Sequence, residues 1–509
     1  MNTTMKSFAI PLILISVAAR APAAVYFAIH VTDADTGRGV PLVALTTTGK
    51  IVSYTDSNGY IAFNEPGLMD RDIWFDIASW GYAADPGTLG FHGVTLHPTA
   101  GGKAEIKIRR TQIARRLYRT TGQGIFRDTV LLGMKPPFGD GLLDAGVIGQ
   151  DTVQTAVYRG RMFWCWGDTD RASFPLGNFH TTAATSKPPA EIDASVGFAP
   201  DYFTDKPGEV RQMVQLEHAG SHPIWIDGLT VTNDAGTERL LARYCLVDGK
   251  MKPIRAGIVQ FDDAAGVFKE LVPIPLDAPL YPSDHPVKAR VGAEDYFYFP
   301  RPFATVRVKA DYASVKDLSA YEGWTCVKPD GTVDRVAGKV VWSWRRGAAP
   351  ADVGRLVKDK LLADDESPHR LRDAATGKPI RIHNGSIAWN PYLKRWIMIF
   401  GQGGGDSALG EIWLAEADAI EGPWGDAVKV ATHARPGCNQ DLYNPMQHPE
   451  FARENGRLIY FEGTFVNTFS GSPIQVPRYN YNNLMYEIDL ADPRIATLSQ
   501  EKLTTDGHR

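Results

Sequence analysis

The chain has 509 residues, of which 44% are hydrophobic, 22% charged and 10% aromatic, with a formal net charge of −4. That length exceeds one typical domain, so two folded units are expected, and the composition is that of a globular protein. The weak acidity carries no nucleic-acid signature, and 49 Gly and 34 Pro beside many aromatics favour a β-rich chain.

Residues 1–23 read as a signal peptide. Lys6 supplies a positive start, Phe8 to Ala19 an apolar run, and Ala21-Pro22-Ala23 a small-residue cleavage site. A secreted or periplasmic protein is therefore expected. No later stretch reaches about 18 uninterrupted apolar residues, so no membrane span is expected. Cys165, Cys245, Cys326 and Cys438 are far apart and form no CxxC pair, which removes zinc-ribbon and thioredoxin readings. Buried free thiols are expected rather than disulfides.

Residues 24–112 alternate apolar and polar positions with period two, broken by Asp35-Thr36-Gly37 and Ser57-Asn58-Gly59 turns, which predicts a small antiparallel β-sandwich. Val31-Thr32-Asp33, Thr36-Gly37, Val40-Pro41, Thr55-Asp56 and Gly59-Tyr60 give it a resemblance to the carboxypeptidase regulatory-like, or transthyretin-like, domain. The resemblance implies an accessory module without catalysis. Residues 113–148 read as linker and propeller entry, with the basic run Ile106–Arg116 leading out of the sandwich.

Residues 149–509 divide into five blocks of short strands with polar residues near their starts. The first, Gly149 to Ser186, reads as one sheet turning at Tyr158-Arg159-Gly160-Arg161, with its polar ends on one rim. Later blocks begin near Gln212, Ala293, Ile382 and Tyr443. Blocks of about four strands repeated radially describe a β-propeller, and five blocks predict five blades. The fold class expected is thus all-β, a transthyretin-like β-sandwich followed by a five-bladed β-propeller. The fourth block carries Asn390-Pro391 ahead of Trp396, and Ala417 ahead of Gly422-Pro423-Trp424. In these stretches it resembles the five-bladed propeller glycoside hydrolases, with Ala417 where their pattern has Ser or Thr. Gly167-Asp168-Thr169 after an aromatic strand is similar to a propeller family first defined as a domain of unknown function, some of whose members are endo-D-arabinanases. The resemblance implies an exported glycoside hydrolase acting on a polysaccharide or oligosaccharide.

Inner strands of a propeller converge on an axial funnel, so polar residues opening each block are expected to face one another. These are Asp151, Glu217 or His218, Glu294 with Asp295, His383 with Asn384, and His448 with Glu450. Glycoside hydrolysis needs two carboxyl groups, one protonating the leaving oxygen and the other activating water or attacking the sugar. Asp151 and Asp168 form the leading catalytic pair, at a strand entry and the end of the following strand. Glu294, beside Tyr296-Phe297-Tyr298-Phe299, is the rival acid, because aromatic desolvation raises a carboxyl pKa. Asp170, Asn178, His180, Glu217, His383, Asn384, His448, Glu450 and Tyr479 are candidate substrate contacts. There is no HExxH, and the His218–His222 spacing reads as a turn. No cofactor is required, and a structural calcium or sodium ion in the propeller axis fits the fold. A polysaccharide lyase using His or Tyr on a uronate glycan, and a non-catalytic carbohydrate-binding propeller, are the alternatives. Sugar identity, linkage and oligomeric state are not specified by these residues.

Overall fold

The computed structural model describes residues 26–498 except 179, 218, 221, 406, 407, 436 and 497. The expected signal peptide lies outside the described residues. Two four-stranded sheets form the N-terminal sandwich. One orders Tyr60–Phe63, Phe27–Asp33, Lys103–Arg110 and Tyr82–Ala83; the other orders Val52–Tyr54, Ala44–Thr47, Ile73–Ala78 and Gly93–Leu96. Period-two alternation sends Ile29, Val31, Leu45, Ile61, Phe75, Ile106 and Ile108 into the space between the sheets. The sandwich is not wholly antiparallel, since Phe27–Asp33 runs parallel to Lys103–Arg110.

Five further sheets of four or five strands follow in chain order. Their first strands are Gln154–Tyr158, Ile224–Asp234, Val287–Val291, Ile382–Asn390 and Asp441–Gln447. Each is a meander in which neighbouring strands pair antiparallel, and the second and fourth gain a short parallel edge strand from the chain just before them. This is a β-propeller. Its ring is closed by Arg115–Arg119, which pairs antiparallel with Asn482–Asp489 as the outer strand of the last sheet. The stretch expected to link the two units thus supplies the outer strand of the last propeller sheet.

The stretch Gly149–Ser186 forms two sheets rather than one. Arg161–Trp166 pairs with Thr182–Ser186 in the first of the five sheets. The chain between them, Thr169–Arg171 and Phe174–Asn178, joins Val147–Gln150 in a separate three-stranded sheet. This insertion brings Asp168 back beside Asp151.

The sandwich is fused to the propeller through a shared core. Leu42, Tyr54 and Trp80 pack with Ile412, Cys438, Phe465, Val476 and Tyr479. Arg116, fully buried, donates to the carbonyls of Pro41 and Trp80, and Trp80 Nε1 donates to the Cys438 carbonyl at 3.1 Å. All four cysteines are free thiols, and all but Cys245 are buried.

Candidate active site

The first strands of a propeller point their ends at the axis, so side chains far apart in sequence meet there. One cavity of about 600 Å³ draws its walls from all five propeller sheets or the loops entering them. Asp151, Asp168 and Asp170 come from the first region, Trp225, Asp227 and Arg243 from the second, and Asp284, His285 and Arg301 flank the third. Asn384 comes from the fourth, and Tyr443, Asn444 and Tyr481 from the fifth.

Asp151 and Asp168 lie side by side. The Asp168 backbone N–H donates to Asp151 Oδ1 at 2.9 Å, and the backbone N–H of Gly167 donates to the Asp151 carbonyl at 2.9 Å. Tyr443 Oη donates to Asp151 Oδ2 at 2.9 Å. Trp225 Nε1 donates to Asp168 Oδ1 at 2.6 Å. Tyr481 lines the same cavity as both carboxyls. Behind them, Asn384 donates to Asn444 at 2.9 Å and Asn444 donates to Thr152 Oγ1 at 2.7 Å, tying the fourth and fifth sheets to the loop that carries Asp151.

Burial, reinforced by the charge of Asp151, pushes the Asp168 carboxyl up to about 7, with the Trp225 and Tyr481 donors opposing the rise. Burial also raises Asp151, against hydrogen bonds from Tyr443, Thr152, Tyr481 and the Asp168 backbone. The pair is thus arranged so that one carboxyl keeps its proton near neutrality while the other is surrounded by donors suited to a carboxylate. Burial raises Asp170 as well.

The same cavity carries a second acidic pair with two arginines. Arg243 bonds Asp227 at 3.0 Å and stacks over the Tyr281 ring at 4.7 Å. Arg301 Nε lies 3.4 Å from Asp284 Oδ2 and its Nη1 donates to Tyr281 Oη at 2.9 Å. Burial and then the charge of Asp227 raise the Asp284 carboxyl, against both arginines. His285, buried beside it, is pushed down to about 3 by burial and then by His448, which leaves a neutral imidazole at working pH.

Of the candidates named from sequence, Asp151, Asp168, Asp170 and Asn384 line this cavity. Glu294 does not. It sits at the Val291–Glu294 hairpin end with its side chain 58% exposed and paired with Lys309 at 3.3 Å, so the aromatic run does not desolvate it. Tyr479 is buried in the joint with the sandwich, its hydroxyl donating to the Thr55 carbonyl, away from this cavity's lining. His448 is buried with Nε2 3.2 Å from Glu462, packed near Trp164 and Phe451. Glu217 is exposed, and Glu450 is exposed in the turn Pro449–Phe451. His383, although next to Asn384, is turned to solvent because adjacent strand residues face opposite ways. His180 bridges to Ile224, and burial lowers its pKa to about 4. Asn178 pairs with Thr169, and His218 lies outside the described residues. Among the described residues no group of three or more His, Cys, Asp or Glu is arranged to hold a metal ion.

Sequence reasoning missed Trp225, Asp227, Arg243, Asp284, His285 and Arg301 as site residues. The available signal was positional. Asp284-His285 stands just ahead of the first strand of the third sheet, as Asp151 stands ahead of that of the first.

No family model matches the chain, and no curated protein matches it. Solved structures do resemble it. A Bacteroides ovatus protein described as a hydrolase shares 14% identity over 67% of this chain and 86% of its own, with a TM-score of 0.42. An exo-β-1,3-galactanase from Phanerochaete chrysosporium shares 9% over 68% of this chain and 62% of its own, with a TM-score of 0.35. An exo-1,5-α-L-arabinanase from a bovine ruminal metagenomic library shares 9% over 68% of this chain and 94% of its own, with a TM-score of 0.33.

Proposed function

We propose that the chain is a glycoside hydrolase, acting on a polysaccharide or oligosaccharide in the funnel of a five-bladed propeller. The observation that carries this reading is the adjacent pair Asp151 and Asp168, joined through the Asp168 N–H, in a cavity fed by all five sheets. A cavity of about 600 Å³ suits one or two sugar rings. Asp168, still protonated near neutrality, gives its proton to the glycosidic oxygen as the C–O bond breaks. Asp151, ringed by donors, acts as the carboxylate that activates water or attacks the anomeric carbon. In the same cavity Asp227–Arg243 and Asp284–Arg301 offer paired acceptors and donors for sugar hydroxyls. The sandwich supplies no catalytic residue in this reading, and residues 1–23 direct export to a secreted or periplasmic location.

The test is release of reducing ends from a panel of polysaccharides and oligosaccharides by the wild type, Asp151→Asn and Asp168→Asn. Each variant should lose roughly 10²–10⁴-fold in kcat. Full activity in both removes the assignment. Unsaturated products absorbing in the near ultraviolet would establish a lyase, and glycan affinity without cleavage a binding propeller.

A further inference from the structure

One short segment, residues 478–483, links the sandwich to the acid pair. At its start, the Tyr479 hydroxyl donates to the Thr55 carbonyl and accepts the Leu42 N–H at 3.3 Å, both backbone groups of the sandwich. The Tyr479 ring lies under the Arg119 guanidinium at 4.4 Å. Arg119, fully buried in the strand that closes the ring, donates to the Arg478 carbonyl and, at 3.4 Å, to Asn482 Oδ1. Two residues beyond Tyr479, Tyr481 lines the cavity together with Asp151 and Asp168.

The segment holds a conformation that it would not adopt unaided. Arg478 has φ of 66° and Tyr481 φ of 61°, left-handed backbone that bulky residues occupy only where the surroundings impose it. Glycines give it room: a Cβ on Gly149 would stand 2.4 Å from the Tyr481 carbonyl oxygen, and one on Gly122 would stand 1.9 Å from Asn482 Oδ1. The Tyr481 backbone is therefore seated against the strand leading to Asp151, with its upstream end pinned by the sandwich.

We propose that the sandwich braces the active site, with Tyr479 as the positioning residue through which it fixes Tyr481 beside Asp151 and Asp168. This rests on the paired-carboxyl reading of the site. Besides Tyr481, the titratable groups lining the cavity with the pair are Tyr443, Asp170, Cys245, His285 and the pairs Asp227–Arg243 and Asp284–Arg301. A tyrosine hydroxyl donating to a carboxylate favours the charged form, so displacing Tyr481 raises both carboxyls.

The experiment compares Tyr479→Phe, Tyr481→Phe and Trp80→Phe in the full chain by pH–rate profile, kcat, KM and thermal midpoint. Tyr481→Phe should move both limbs of the profile to higher pH. Tyr479→Phe should move them the same way by less, with kcat down about 10–100-fold and KM little changed. Trp80→Phe, which deletes a different hydrogen bond across the same joint, should lower the midpoint and leave the limbs in place. The inference is overturned if Tyr479→Phe behaves as Trp80→Phe does, or if all three move the limbs equally. Should the wild type cleave no glycan, the hydrolase reading fails on its own. The brace is then read from the pH dependence of the thermal midpoint, where Tyr479→Phe must follow Tyr481→Phe and not Trp80→Phe.

Discussion

Asp168→Asn should stabilise the protein, and by an amount that grows with pH. In the folded chain the Asp168 carboxyl titrates at about 7, against 3.8 for an ordinary aspartate. Between those values the unfolded chain has lost the proton that the native chain retains, so stability falls as pH rises through the window and levels off above it. At about 1.4 kcal/mol for each factor of ten, the ceiling is roughly 4 kcal/mol. Asp168 keeps partial contact with solvent, so about half of that, ~2 kcal/mol, is the expected effect. Asparagine does not titrate and retains an oxygen for the Trp225 N–H. Its advantage should therefore be small at about pH 4 and full by about pH 8. Thermal midpoints of both proteins at one scan rate, taken across that range, should diverge by on the order of 2–4 °C for a chain this long. Parallel curves would show that Asp168 is not held protonated, and would remove the reason for giving it the proton-donor role.

Two smaller perturbations bound the same site. Trp225→Phe removes the 2.6 Å donor that favours the charged form of Asp168, so the alkaline limb of the pH–rate profile should move to higher pH with KM little changed; an unmoved limb would mean that Asp168 is not the donor. Glu294→Gln deletes only an exposed pair with Lys309, so kcat/KM and the thermal midpoint should both stay at wild-type values, the pair contributing about 1 kcal/mol or less; loss of activity would return Glu294 to the mechanism.

How the site was legible follows from how the strands announce themselves. Asp151 and Asp168 stand out because they are joined by one hairpin, Gln154–Tyr158 and Arg161–Trp166, whose apolar runs and Arg159-Gly160 turn are local features. The inner strand of the third sheet is Val287–Val291, in which Lys288 and Arg290 leave no apolar run to detect. Its neighbour Glu294–Pro300 has the aromatic run, and reading that as the block's start moved the predicted acid from Asp284 to the outer hairpin. The second block was misjudged in the same way. The apolar stretch at Gln212 precedes only a two-residue edge strand, while Asp227 sits inside Ile224–Asp234, the inner strand. Propeller inner strands line a wet axis on one side, so they are less hydrophobic than the middle strands behind them. The residues that build the funnel are thus the ones that hydrophobic patterning registers least.

The same logic explains why the sandwich looked separable. The basic run Ile106–Arg116 reads as a linker leading out of the sandwich, yet its last two residues open the closing strand Arg115–Arg119. In the structure Arg116 and Arg119 are fully buried and spend their hydrogen bonds on carbonyls of the sandwich and of Arg478. Burying a guanidinium is costly unless such acceptors are fixed in place. The acceptors come from both units, so the closing strand requires the sandwich to be docked. A propeller closed through a strand of this kind cannot treat the preceding sandwich as a tethered accessory. The sandwich, the ring closure and the segment carrying Tyr481 form one mechanical unit, and a change at the joint reaches the acid pair without touching the cavity.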